Sequence, residues 1–203
     1  MTRRMALFFI VAGAAAIAAS FALPTDFAWN GRNSFDFCVA TSRYASECGA
    51  RLAWFGFAGA VLYPYVWAIA TGIATAMEWR GASKIAHFFP AIATTLGCVL
   101  TTALGLLLIL MRETWPSPAA QWTAVIASSA HAAILWVAVR RASPERRTGV
   151  AVFVGGIPFL ALQVGLAIAS GRYGNQVSGF VLAAAGTIVI LAASSILFLR
   201  RTS

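Results

Sequence analysis

The residues of this chain that could do chemistry are concentrated in one polar stretch, residues 23–51, within an otherwise hydrophobic sequence. Carboxylates and arginines that converge on one site can perform acid–base chemistry or bind phosphate. A membrane enzyme with an external site is therefore one of three functional hypotheses. That site would be built from Asp26, Asp36, Glu47, Arg43 and Arg51. Nothing in the spacing of these residues fixes their geometry, so we favour a chain without catalytic activity.

Two cysteines, Cys38 and Cys48, lie in the same stretch and are separated by nine residues. This spacing is far too long for a C-x-x-C redox pair, and the stretch contains no histidine that would favour a metal site. Disulfides form and persist outside the cytoplasm. We expect a structural disulfide between the two cysteines, worth about 3 kcal/mol in the chain-entropy model, with free thiols as the alternative.

Aromatic and charged side chains alternate along this stretch. Trp, Tyr and Arg are typical anchors of protein interfaces, so a partner-binding surface is one interpretation. The other is an amphipathic cap, with aromatic rings at the level of the lipid headgroups and charges in water. The candidate partner-binding residues are Trp29, Arg32, Asp36, Arg43, Tyr44 and Glu47.

The elements that would position this stretch are membrane-spanning helices. Hydrophobic residues make up 60% of the chain and charged residues only 10%, whereas roughly one-quarter of the residues of a soluble domain are charged. A spanning helix needs about 20 apolar residues. The sequence therefore predicts an all-α, polytopic transmembrane bundle that forms a single membrane domain over residues 1–203. Six spans are expected, at 5–22, 52–77, 87–111, 119–139, 150–170 and 177–199.

Basic residues distribute unequally between the two sides of such a bundle. Six spans place ten of the 15 basic residues on the side of both termini and five on the other side. By the positive-inside rule, both termini are cytoplasmic and residues 23–51 form an external loop. We expect an inner-membrane protein in contact with the lipid bilayer, whose net charge of +9 reflects topology rather than nucleic-acid binding. The first span also has the layout of a signal peptide, so cleavage after Ala22 is the alternative to a retained helix.

Polar residues within the spans form a second candidate site. Counting along the helices puts most of them near the membrane midplane, and His131 lies in the fourth span. Hydrogen bonds between helices, with His131 bonded to Ser128 or to a threonine, are the favoured interpretation. A pocket for a small neutral or lipid-like ligand is the other. The candidate residues are Tyr63, Tyr65, Thr101, Gln163 and His131.

Small residues recur at helix-packing spacing in two spans. Such stripes let helix backbones approach closely, which indicates either tight internal packing or a homo-oligomeric face. The stripes are Gly97, Thr101 and Gly105 in the third span, and Gly179, Ala183 and Thr187 in the sixth.

Groups that usually mark catalysis or ion transport are missing from the expected spans. All six carboxylates fall in the connections, with Glu78 placed just after the second span. The sequence contains no nucleophile elbow, phosphate-binding glycine loop or metal motif, and we expect no cofactor and no metal. We therefore expect an accessory, assembly or sensor component whose external loop contacts a membrane-protein partner. The alternative is a small transporter, channel or binder for an uncharged or lipid-like molecule.

Overall fold

The computed structural model of the chain describes residues 2–20, 22–23, 65–81, 83–110, 112, 117–171 and 177–199. All regular secondary structure within these ranges is α-helical. The range given for the second helix covers only its described part. The helices are α1 (Arg3–Ser20), α2 (65–79), α3 (Ser83–Ala86), α4 (Phe88–Leu110), α5 (Pro118–Arg141), α6 (Arg147–Gly171) and α7 (Ser178–Leu199).

Several of these helices are long and apolar enough to cross a membrane. Within the described ranges, four segments meet this condition: Lys84–Leu110, Pro118–Arg141, Arg147–Gly165 and Ser178–Ile196. Arg4–Ser20 is apolar over a shorter length. By length and composition, the chain has the helices of a multi-pass membrane protein.

Local sequence signals determine where α2 ends and where α5 begins. Gly81 follows α2 with a φ of +81°, a conformation that glycine adopts without a Cβ penalty. Its N–H donates to the Glu78 carbonyl at 3.2 Å, as in other helix C-termini closed by glycine. At the start of α5, the Ser117 side-chain oxygen accepts a hydrogen bond from the N–H of Ala120 at 3.4 Å. Pro118 occupies the first turn, where its missing N–H costs nothing.

Two hydrophobic clusters form the core, and α6 contributes to both. The first joins α6 to α1, α2 and α7, and consists of Ile10, Ile17, Trp67, Ala68, Val152, Phe159, Ile190 and Ala193. The second joins α6 to α4 and α5, and consists of Ala91, Leu135, Val139, Val150 and Ala151. The helix α6 is therefore the centre of the described bundle.

The helices α1 and α7 cross at two glycines. A Cβ added at Gly13 would lie 2.6 Å from the Gly186 carbonyl oxygen and 2.6 Å from the Ile190 side chain. A Cβ added at Gly186 would lie 2.9 Å from the Ile17 side chain. Because Gly13 faces Ile190 and Ile17 faces Gly186, the two helices run antiparallel. Close backbone approach of this kind needs glycine on both helices.

The small-residue stripes contribute mainly to internal packing. Ala183 and Thr187 are buried in the stripe of α7. In α4, Gly105 is buried, and a Cβ there would lie 2.6 Å from the Val125 side chain of α5. Thr101 of the same stripe is exposed. Of the two expected roles for these stripes, the structure therefore assigns internal packing to these buried positions.

The described contacts bring several helix ends together at one end of the bundle. Glu78, in the last turn of α2, bonds to Thr148, in the first turn of α6. The start of α6 also lies beside the end of α5, because only residues 142–146 connect them. We call this end the arginine-rich end. Basic residues in the described helix ends and connections here include Arg80, Lys84, Arg140, Arg141, Arg146 and Arg147.

Candidate functional site

Residues 24–51 of the external segment, on which the partner-binding hypothesis rests, lie outside the described residues. This applies to its aromatic and charged residues and to both cysteines of the expected disulfide, and Tyr63 of the midplane set is outside as well. The residues concerned are Trp29, Arg32, Asp36, Arg43, Tyr44, Glu47, Cys38, Cys48 and Tyr63.

The described members of the midplane set occupy different environments. Gln163 is 2% exposed on α6, whereas Thr101 is exposed on α4. Tyr65 is half-buried, and its hydroxyl lies 3.3 Å from that of Ser20 at the end of α1. Thr101 and Gln163 therefore do not face a common interior. The Tyr65 hydroxyl instead links α2 to α1.

A proline on the neighbouring helix explains why a histidine, His131, lies inside an apolar helix. Pro158 lies inside α6 and has no N–H, so the carbonyl four residues earlier, at Val154, loses its helical hydrogen bond. The His131 ring is placed to donate a hydrogen bond to the Val154 backbone carbonyl. Nε2 has no partner among the described residues, so Nδ1 is the ring nitrogen that can donate to this carbonyl. Kinked membrane helices commonly satisfy freed carbonyls through a neighbouring helix in this way.

Ser128, which we expected to bond to His131, is engaged elsewhere. Its hydroxyl lies 2.6 Å from the Ala124 carbonyl oxygen and 2.7 Å from the Thr102 hydroxyl of α4. Two turns along the same interface, the Trp136 indole N–H donates to the Thr95 hydroxyl at 2.9 Å. These polar side chains join α4 to α5 through hydrogen bonds between the helices.

The indole of Trp67 fills a notch on α6 made by two adjacent glycines. A Cβ at Gly156 would lie 2.6 Å from Cζ2 of Trp67 and 2.8 Å from the Leu191 side chain. A Cβ at Gly155 would lie 2.5 Å from the Thr94 hydroxyl. Trp67 is fully buried, and its ring lies 5.3 Å from that of Phe159. Its Nε1 has no hydrogen-bond partner among the described residues, so packing holds the ring in place.

The buried face of α2 carries polar groups that we did not expect there. Trp67, Thr71, Thr75 and Glu78 recur at helical spacing and are all buried. The hydroxyl of Thr75 donates to the Thr71 carbonyl at 2.7 Å, the usual way for threonine to satisfy its hydrogen bond inside an apolar helix. This spacing is the signal that would have revealed the polar face from the sequence.

Glu78, which we expected just after the second span, lies in the last turn of α2. The helix continues through residue 79, and Glu78 is only 8% exposed. Its carboxylate accepts a hydrogen bond from the Thr148 hydroxyl at 2.8 Å. A negative charge beside the first turn of α6 also interacts favourably with the positive end of the helix dipole. Glu78 therefore fastens the end of α2 to the start of α6.

His87 and two arginines surround this contact. His87 is 5% exposed, and its Nδ1 has no partner among the described residues. Arg147 and Glu78 are both close enough to act electrostatically on its ring. The Nε of Arg147 donates to the Ala142 carbonyl at 3.3 Å, while the buried Nε of Arg146 has no partner in the described part of the chain.

Other candidate groups give no site. Cys98 is a free, buried thiol in α4. Within the described ranges, no group of three or more His, Cys, Asp or Glu side chains could hold a metal ion.

No protein-family model, curated protein or solved structure matches this chain. The functional argument therefore depends on the geometry and the sequence alone.

Proposed function

We propose that this chain is an accessory or assembly component of the inner membrane, without catalytic activity of its own, whose external segment contacts a membrane-protein partner. The observation that carries the proposal is the filling of the α6 notch by Trp67, where both glycines are in van der Waals contact with neighbouring side chains. A pathway or pocket for a solute needs room at this level of the bundle. Close packing there supports a structural role for the interior.

The polar groups inside the bundle also support this proposal. The ring of His131 is committed to the carbonyl that Pro158 leaves free. The hydroxyls of Thr102 and Thr95 are committed to partners on α5. Polar side chains that join helices hold a bundle together but leave few groups to bind a substrate.

The proposal includes six spans with both termini in the cytoplasm. Four helices long enough to span, the apolar α1 and the described part of α2 support this number. The antiparallel pairing of α1 with α7 supports the placement of both termini on one side. The collection of six basic residues at the arginine-rich end supports a cytoplasmic location for that end.

The external segment is the proposed contact surface because its composition is that of an interface. Residues 23–51 combine aromatic anchors with arginines and carboxylates, and the disulfide proposed between Cys38 and Cys48 would restrict their conformations. Preorganised loops lose less conformational entropy on binding.

The test is affinity purification of the full chain in a mild detergent, with quantitative mass spectrometry of the proteins that accompany it. The matched variants are Trp29→Ala combined with Tyr44→Ala in the external segment, and Trp122→Ala on the exposed face of α5. A central aromatic anchor contributes 2 kcal/mol or more, which is roughly a 30-fold change in affinity. We expect one stoichiometric membrane protein with the wild type and Trp122→Ala, and its loss from the double variant. Equal recovery from all three proteins would refute the proposal.

A further inference from the structure

The arginines of the α5–α6 connection differ in their environment, although the sequence presents them as one basic run. Arg140 and Arg141 are exposed at the end of α5. Arg146 and Arg147 are half-buried at the start of α6. Exposed arginines on the cytoplasmic side are sufficiently explained by membrane topology. The half-buried pair needs a further explanation, because partial burial of a charge is costly unless an opposite charge or a hydrogen-bond acceptor compensates it.

The half-buried pair has few acceptors within the protein. The Nε of Arg147 donates to the Ala142 carbonyl at 3.3 Å, which fixes the direction of its side chain. The Nε of Arg146 is buried and has no partner in the described ranges. Glu78, a buried carboxylate at the same end of the bundle, accepts a hydrogen bond from Thr148. Within the described ranges, no further hydrogen bond of either side chain is found, which leaves their terminal nitrogens for an acceptor from outside the protein.

Basic residues outnumber the two carboxylates, Glu78 and Glu145, around the pair, and this balance favours an anion. The start of α6 carries the positive end of its helix dipole. Lys84, on α3, adds an exposed positive charge at the same end of the bundle. The ring of His87 is buried close to Arg147, and its Nδ1 has no partner there.

The location favours a lipid rather than a soluble anion. Trp79 is exposed at the end of α2, and Phe88 is exposed at the start of α4, where its ring lies 6.3 Å from that of Trp136. Aromatic rings at the end of a bundle are typical of the headgroup level of a membrane. Basic pockets between helices on the cytoplasmic side bind acidic lipid headgroups.

We propose that Arg146 and Arg147 form a localised binding site for the phosphate of an anionic phospholipid. A guanidinium group can present paired N–H donors to phosphate oxygens, a geometry that lysine cannot reproduce. The exposed Arg140 and Arg141 contribute only to the general positive potential of this end. The site is independent of the proposed partner and of the external segment.

The test is the thermal unfolding of the full chain in neutral detergent, titrated with phosphatidylglycerol, with phosphatidylcholine, or with inorganic phosphate alone. Two matched double variants carry the same charge change: Arg146→Gln with Arg147→Gln, and Arg140→Gln with Arg141→Gln. Each basic residue contributes about fivefold to the affinity for an anionic lipid, so the first double variant should raise the half-saturating phosphatidylglycerol concentration roughly 30-fold. The second should raise it less than about fivefold.

Three results would overturn the proposal. Equal loss in the two double variants would mean that a diffuse potential attracts the lipid. Equal stabilisation by phosphatidylcholine would mean that the headgroup charge is not recognised, and equal stabilisation by phosphate alone would indicate a site for a soluble anion. If the first double variant does not fold, Arg146→Lys keeps the charge but loses the planar guanidinium, and we expect an intermediate rise in half-saturating concentration. No change with Arg146→Lys would contradict the site.

Discussion

The hydrogen bond between His131 and Val154 leads to a prediction that depends on a proline. His131→Leu removes the ring N–H that serves the Val154 carbonyl, which Pro158 leaves without a helical donor. A buried carbonyl left unsatisfied costs about 1–3 kcal/mol. Hydrogen bonds between membrane helices average about 0.6 kcal/mol and reach about 1.7. We expect a loss of about 1–2 kcal/mol in the free energy of unfolding, near the upper limit because no helical donor can replace the ring.

The assay is reversible unfolding by sodium dodecyl sulfate in mixed micelles, followed by far-ultraviolet circular dichroism. Pro158→Ala restores an N–H to the helix, so residue 158 can bond to the Val154 carbonyl itself. In that background, His131→Leu should cost at least about 1 kcal/mol less than in the wild type. His131→Asn, which keeps an N–H donor on a short side chain, serves as the control and should be milder than His131→Leu. Equal costs of His131→Leu in the two backgrounds would refute the link between the histidine and the proline.

Three further predictions concern packing, the arginine-rich end and the cysteines. Gly156→Ala should destabilise by about 1–2 kcal/mol in the same assay, because overpacking outweighs the gain in helix propensity. Gly165→Ala on the same helix is the control, because a Cβ there would meet nothing within 4 Å, and it should be neutral or stabilising. Equal effects of the two substitutions would contradict close packing of Trp67 against Gly156. Thr148→Val should lower the free energy of unfolding by about 1.5–3 kcal/mol, because it removes the hydroxyl that donates to a buried carboxylate. Thr148→Ser keeps the hydroxyl and should retain most of the stability. An unchanged stability of Thr148→Val would mean that the bond to Glu78 is not needed. After denaturation, maleimide-polyethylene glycol should add once to the unreduced chain, at Cys98, and three times after reduction, whereas three additions without reductant would exclude the disulfide.

The helices themselves could be predicted from hydropathy and punctuation residues. The expected range 119–139 corresponds to Pro118–Arg141, and the expected range 177–199 corresponds to Ser178–Leu199. Hydropathy performs well here because about 20 consecutive apolar residues form a strong signal. The ends of the segments are predicted less accurately, since a charged residue lowers the local mean hydropathy even where its helix continues. This effect ended the expected second span at residue 77, whereas α2 continues through residue 79.

The partners of individual polar residues could not be predicted, because they depend on which helices are neighbours. Pro158 and His131 were each visible in the sequence, yet only the packing of α5 on α6 joins the histidine to the freed carbonyl. The pair Gly155 and Gly156 had no evident role until Trp67 was placed opposite it. Neighbouring helices are not encoded by hydropathy, so such contacts require the three-dimensional structure.

The central claim, that the external segment contacts a membrane-protein partner, is tested most directly by site-specific photocrosslinking in living cells. A photoreactive phenylalanine derivative would replace Tyr44 in the external segment or Ile126 on the exposed face of α5. We predict one adduct of defined mass at Tyr44, containing this chain and a different membrane protein, and no equivalent adduct at Ile126. Adducts only with a second copy of this chain, or none at Tyr44 when the chain is inserted and stable, would contradict the claim.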